Sequence, residues 1–161
     1  MARVRDAQAG ERHEELERLY RERGDRMWRA LLAFAGDPEV ASDAVAEAFA
    51  QALRRGDAIR EPERWLWRAA FRIAGGELKE RGRHSRLTDV QTYEMEEPTI
   101  ELVAALGRLS EKQRAAVVLH HAAGYPVKEI AAILSSSNAA VKVHLSRGRK
   151  RLRELLKEEL E

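Results

Sequence analysis

Between Lys142 and Arg153 the chain carries six Lys or Arg and no Asp or Glu. Such cations can do two kinds of chemistry on a polyanion. Their donors reach guanine edges in a major groove, and their charge displaces counterions from phosphates. Which of these they do depends on the backbone that presents them. In EIAAILSSSNAAVKVHLSRGRKRL, residues 129–152, the apolar spacing is helical. Val127, Ile130, Ala131 and Leu134 line one short helix, and Val141 and Leu145 line the next. Only Ser135 to Ser137 separate the two, and Ser137 suits the N-cap of the second. Two short helices with a tight turn form a helix-turn-helix, whose second helix enters the major groove. The face not packed on the first helix carries Asn138, Lys142, Val143, Ser146 and Arg147, with Arg149, Lys150 and Arg151 placed for phosphates. Spacing alone leaves a second reading open. A helical hairpin with a merely solvated basic end gives the same pattern, because cations suit a helix C-terminus.

Other chemistries find little to work with. The chain has no cysteine, so disulfides and thiolate metal sites are excluded. Its histidines, His13, His84, His120, His121 and His144, are scattered, and the adjacent pair points to different sides of a helix. No H-E-x-x-H, phosphate loop or G-x-S-x-G occurs. The carboxylates lie on solvated helical faces. The chain is therefore expected to be no enzyme and to need no metal or cofactor. No apolar run approaches the roughly 18–20 residues that span a bilayer, and MARVRDAQAGERHEE lacks a signal-peptide core. No membrane insertion and a cytoplasmic location are expected. The net charge of +2 says little, so the local clustering of charge carries the argument.

The elements that must position the basic face are all helical. A first helix is read from about Arg12 to Ala35, with Leu16, Leu19, Tyr20, Met27, Leu31 and Phe34 at helical spacing and Gly36 as its stop. Asp37-Pro38 opens a second, as N-cap and first-turn proline, with a stripe from Val40 to Leu53. Gly56 ends it, and Pro62 starts a third, in which Trp65, Leu66, Ala69, Ile73 and Leu78 face inward. Gly75-Gly76 inside this helix costs about 1 kcal/mol per Gly and is expected to kink or fray it. From Gly82 to Thr99 the pattern is polar and aperiodic, which reads as a flexible linker. Helical period returns at Ile100. Ser110-x-x-Gln113 is a capping box opening a helix that Gly124 ends. The expectation is an all-α chain: a domain over 12–83, a linker over 84–99, and a domain over 100–159 containing the helix-turn-helix.

The segment LSEKQRAAVVLHHAAGYPVKEIAAIL…AVKVHLSRGRKRLREL resembles region 4 of bacterial RNA polymerase sigma factors of the extracytoplasmic-function type. Upstream, LYRERGDRMWRALLAFAGDPEVASDAVAEAFAQAL…IREPERWLWRAA resembles their region 2. The two resemblances come in the family's order and cover nearly the whole chain after about residue 12. They imply that region 2 binds the β′ clamp coiled coil of the polymerase core and reads and melts the −10 element. Region 4 would read the −35 element and bind the β flap. Asp43 and Glu47 fall on core-binding acidic positions. Trp65, Arg68 and Arg72 fall where the family contacts −10 DNA, and residues 56–61 where it captures a flipped base. Core packing is the competing role for Trp65. Lys142, Val143, Ser146 and Arg147 fall on base-facing positions, and His144 and Arg149 on backbone-facing ones. The resemblance also implies promoter DNA and an anti-sigma factor as partners. The free protein would be held inactive by that partner or by packing of its two domains together.

Several positions depart from the family pattern. Ala46 stands where Gln is usual, Arg72 where Asn is usual, and Gly76 where Asp is usual. Glu77 and Glu80 replace commonly basic positions. Ser135-Ser136 replaces a turn of Gly and an apolar residue, which is expected to make this hairpin less stable. A stand-alone helix-turn-helix regulator, or a degenerate relative that melts promoters weakly, are the alternatives.

Overall fold

The computed structural model describes residues 1–81 and 97–160. Among these, seven α-helices and one short 3-10 turn make up the fold, with no strand. They are α1 (Ala2–Ala35), α2 (Pro38–Arg55), α3 (Pro62–Arg81), α4 (Glu97–Gly107), α5 (Glu111–His121), α6 (Val127–Leu134) and α7 (Asn138–Leu160). The 3-10 turn, Gly56–Ala58, joins α2 to α3.

The helix ends follow the local chemistry. Gly36 takes φ +68 and donates its N–H to the Leu32 carbonyl at 2.7 Å, which ends α1. The Asp37 carboxylate then accepts the N–H groups of Glu39 at 2.9 Å and Val40 at 3.3 Å, which starts α2 behind Pro38. At α5, Ser110 Oγ accepts the Gln113 N–H at 3.2 Å, and Gln113 Oε1 accepts the Ser110 N–H at 3.3 Å.

Helices α1, α2 and α3 form one bundle, around Leu16, Met27, Leu31, Phe34, Val40, Ala44, Leu66 and Ala70. Helices α4 to α7 form a second group around Leu119, Ile130, Ile133, Val141 and Leu145. The two groups share one continuous apolar core. Helix α1 packs on α4 and α5, and α3 packs on α6.

Three expectations need correction. Helix α1 begins at Ala2 rather than Arg12. Residues 2–11 are exposed throughout, so they show no apolar period, yet most are good helix formers. The linker expected over 84–99 is helical at its end, because α4 starts at Glu97, and its remainder lies outside the described residues. Gly75-Gly76 does not interrupt α3, which runs on to Arg81. Gly75 instead seats a neighbour. A Cβ there would lie 2.8 Å from Glu111 Oε1 of α5, so the missing side chain permits the approach.

Candidate nucleic-acid interface

The turn between α6 and α7 has a defined hydrogen-bonded form. Ser135 adopts φ 52 and ψ 48, and its N–H reaches the Ala132 carbonyl. The Ser136 N–H reaches the Ala131 carbonyl at 2.8 Å. This is a Schellman closure with serine in the left-handed position that glycine usually fills. Ser137 Oγ then accepts the Ala140 N–H at 3.1 Å and caps α7. Val141, Leu145 and Leu155 are buried and fix the rotation of α7. Gly148 sets its closeness to α5, since a Cβ there would lie 2.8 Å from Val117 Cγ2.

With that face buried, Asn138, Lys142, Val143, Ser146 and Arg147 are all exposed together on α7. Val143 keeps 44% of its surface exposed, an apolar side chain on an otherwise polar face. Neither Lys142 nor Arg147 forms an ion pair among the described residues. His144 and Arg149 are half-buried. Arg149 Nε donates to His121 Nε2 at 3.0 Å, so His121 is an acceptor here and is unprotonated at that nitrogen. Burial, and then the charges of Arg149 and His120, hold the His121 imidazolium pKa below its ordinary value. The His120 ring meets that of His121 edge-on, with centroids 4.9 Å apart, and its Nδ1 lies 2.8 Å from the Tyr125 carbonyl.

The first bundle presents two further surfaces. Asp43 and Glu47 are exposed one turn apart on α2. Glu47 accepts from Gln51 Nε2 at 3.1 Å and from Arg54 Nη2 at 3.0 Å, and these bonds, Gln51's first, hold its carboxyl below the usual range. On α3, Trp65 is half-buried, while Arg68 and Arg72 are exposed. The Arg55 guanidinium lies 5.6 Å from the Trp65 ring centroid, a cation–π arrangement. The sequence reading placed Trp65 inward, but Trp67 is the tryptophan that is fully buried. Tyr20 and Leu53 were also read as inward and are largely exposed, although Tyr20 meets the Phe49 ring edge-on at 5.2 Å. In the loop of residues 56–61, Ile59 is buried and its carbonyl accepts from Arg12 Nη2 at 2.9 Å, while Arg60 and Glu61 are exposed.

Sequence reasoning missed the residues that join the two groups. Arg64 of α3 donates through Nε at 3.1 Å and Nη2 at 2.6 Å to Glu129 Oε2 of α6. The Tyr125 ring meets Trp67 edge-on at 5.5 Å, and its hydroxyl donates to Glu63 Oε1 at 3.3 Å. Arg23 Nε reaches the same Glu63 oxygen at 3.1 Å. Arg114 of α5 is buried, with its guanidinium 4.7 Å from the Phe34 ring centroid of α1. No sequence pattern marks these, because the partners lie far apart in the chain.

Among the described residues, no group of His, Asp and Glu could hold a metal ion. No helix among them is long and apolar enough to cross a membrane.

Residues 99–152, which contain α6, the turn and α7 as far as Leu152, match the family model described as sigma-70, region 4. Comparison with curated proteins finds no match. Two solved structures share the fold across almost the entire chain. One is CnrH in complex with the cytosolic domain of CnrY: TM-score 0.74, 24% identity, covering 95% of this chain and 94% of that one. The other is the sigma factor RpoE in complex with the anti-sigma factor NepR from Bartonella quintana: TM-score 0.73, 22% identity, covering 89% of this chain and 98% of that one. Among the described residues the chain is thus all-α, with a fold similar to these two structures, and residues 99–152 are similar to sigma-70 region 4. The region 4 resemblance, read from motifs in the second half, is matched by the family model, and the first half is similar to these structures in fold.

Proposed function

We propose that this chain is a sigma factor that binds core RNA polymerase and directs initiation at specific promoters. The observation that carries the reading is the exposed face of Lys142, Val143, Ser146 and Arg147 on the second helix of a sigma-70 region 4. In this reading those four side chains read the −35 element, and His144 and Arg149 hold its backbone. Asp43 and Glu47 engage the β′ clamp coiled coil, and the second group also meets the β flap. Trp65, Arg68 and Arg72 contact the −10 element, where an aromatic and two cations suit unpaired bases and phosphates. In this reading residues 12–83 form the polymerase- and −10-binding domain and residues 100–159 the −35-binding domain. The polymerase supplies the chemistry, so the chain is no enzyme and works in the cytoplasm. The RpoE neighbour is bound to an anti-sigma factor, and we extend a partner of that kind to this chain.

The test is selection of genomic fragments by the reconstituted holoenzyme, followed by run-off transcription on those selected. Transcripts that start a fixed distance downstream of a shared two-part sequence are expected. Binding of the chain alone to DNA, with no transcript beyond that of core polymerase, would overturn the reading.

A further inference from the structure

Helices α5 and α7 pack closely at one point, and a contact beside the exposed basic face follows from it. A Cβ on Gly148 would lie 2.8 Å from Val117 Cγ2 and 3.4 Å from the Gln113 carbonyl oxygen, so glycine permits the approach. One turn beyond Val117 on α5 stands His121, and next to Gly148 on α7 stands Arg149. The approach brings the two side chains together, with Arg149 Nε donating to His121 Nε2 at 3.0 Å.

The acceptor is itself held in place. The His120 ring meets the His121 ring edge-on at 4.9 Å between centroids. His120 Nδ1 lies 2.8 Å from the Tyr125 carbonyl, which can only accept, so that nitrogen carries the proton. His121 carries its proton on Nδ1 as well, which leaves Nε2 as the acceptor. Burial, and then the charges of Arg149 and His120, disfavour a second proton on His121. The turn after α5 thus holds one ring, that ring braces the next, and the second ring holds a guanidinium on α7.

A guanidinium has five N–H donors. His121 takes the one on Nε, and the four on Nη1 and Nη2 have no partner among the described residues. Two parallel terminal donors suit a bidentate contact with a phosphate. A freely rotating arginine loses side-chain entropy when it clamps a phosphate, and one already held by a neighbour loses less. His121 is exposed, so its ring is not needed to fill a core. It also lies outside every position assigned above to DNA or polymerase.

We infer that His121 is a positioning residue for DNA: its Nε2 fixes the Arg149 guanidinium so that the terminal amines meet a backbone phosphate of the −35 element. This rests on the reading that Arg149 holds that backbone. His121 acts through Arg149 and adds no contact of its own.

The test is fluorescence anisotropy of the full-length chain on a short labelled duplex of mixed sequence, titrated at several salt concentrations. Phosphate contacts carry no sequence information, so this probe needs no known promoter. Arg149→Ala should weaken binding and flatten the slope of log K against log salt by about 0.9, the loss of one phosphate contact. His121→Ala should weaken binding about two- to tenfold, the cost of ordering one long side chain, and leave the slope unchanged because the Arg149 charge remains. With Arg149→Ala already in place, His121→Ala should cost nothing further. His121→Gln, whose amide oxygen can accept from Nε, should recover most of the loss. Additive losses from the two alanine changes would overturn the positioning role, as would a His121→Ala chain that binds as tightly as the native one. Arg149→Ala without any loss would overturn both that role and the backbone contact it serves. Polymerase is absent from this titration, so a failure of the sigma-factor reading in the holoenzyme leaves these outcomes to judge the positioning role alone.

Discussion

Replacing Ser135 by glycine should stabilise the protein. Ser135 is the sole non-glycine residue with positive φ among the described residues, at φ 52 and ψ 48. A left-handed conformation costs an L-residue about 1–2 kcal/mol, because Cβ crowds the following carbonyl oxygen. Glycine removes that strain but raises the entropy of the unfolded chain, which returns several tenths of a kcal/mol. The backbone bonds of the turn, from Ser135 N–H to Ala132 and from Ser136 N–H to Ala131, survive the change. The Ser135 side chain is exposed, so little packing is lost. The net expectation is a gain of about 1 kcal/mol, or a Tm rise of roughly 2–4 °C for a chain of this size. Ser135→Val should move the other way, since a β-branched residue tolerates positive φ poorly. Urea titration followed by circular dichroism reads both. A Ser135→Gly protein no more stable than the native chain, or a Ser135→Val protein equal to it, would refute the claim that the turn is strained.

The remaining expectations concern the surfaces. Lys142→Ala or Arg147→Ala should cost about 1–3 kcal/mol in binding a −35 sequence, with much less loss on random DNA; fluorescence anisotropy on both duplexes decides, and equal losses would show that they touch only phosphates. His121 should titrate below its ordinary value, and Arg149→Ala should raise it by removing a cation at 3.0 Å. Because the folded-state pKa is the lower one, the unfolded chain takes up the proton first. The contribution of His121 to stability is therefore present above the unfolded value of about 6.5 and is lost as pH falls through the folded one. Imidazole proton shifts followed by NMR check both statements, and an unshifted His121 would contradict them.

Much of this architecture follows from local rules that a sequence displays. Gly36, Asp37-Pro38, Ser110-x-x-Gln113 and Ser137 each mark a helix end through bonds made within three or four residues, and each bond is present. The exposed face of α7 was legible for the same reason, since Val141 and Leu145 fix which side is buried. Helix α3 was harder. It is covered by α1 and α2 on one side and by α6 on another, so Leu66, Trp67, Ala69, Ala70, Phe71 and Ala74 are all buried. A one-sided stripe therefore could not choose between Trp65 and Trp67. Gly75 was read as a cost to the helix because its value lies in Glu111, 36 positions away. Arg114 carries a charge, which argues for the surface, yet the Phe34 ring lets its guanidinium be buried. Charged pairs such as Arg64–Glu129 are indistinguishable in sequence from the many solvated charges on neighbouring turns.

The most direct test of the central claim is co-elution of the purified chain with bacterial core RNA polymerase on a sizing column, beside a Asp43→Lys, Glu47→Lys variant. Both acids are exposed on α2, so the variant should keep native helicity by circular dichroism. The account predicts stoichiometric co-elution of the native chain and none of the variant. A native chain that elutes apart from core, while still binding DNA through α7, would contradict it.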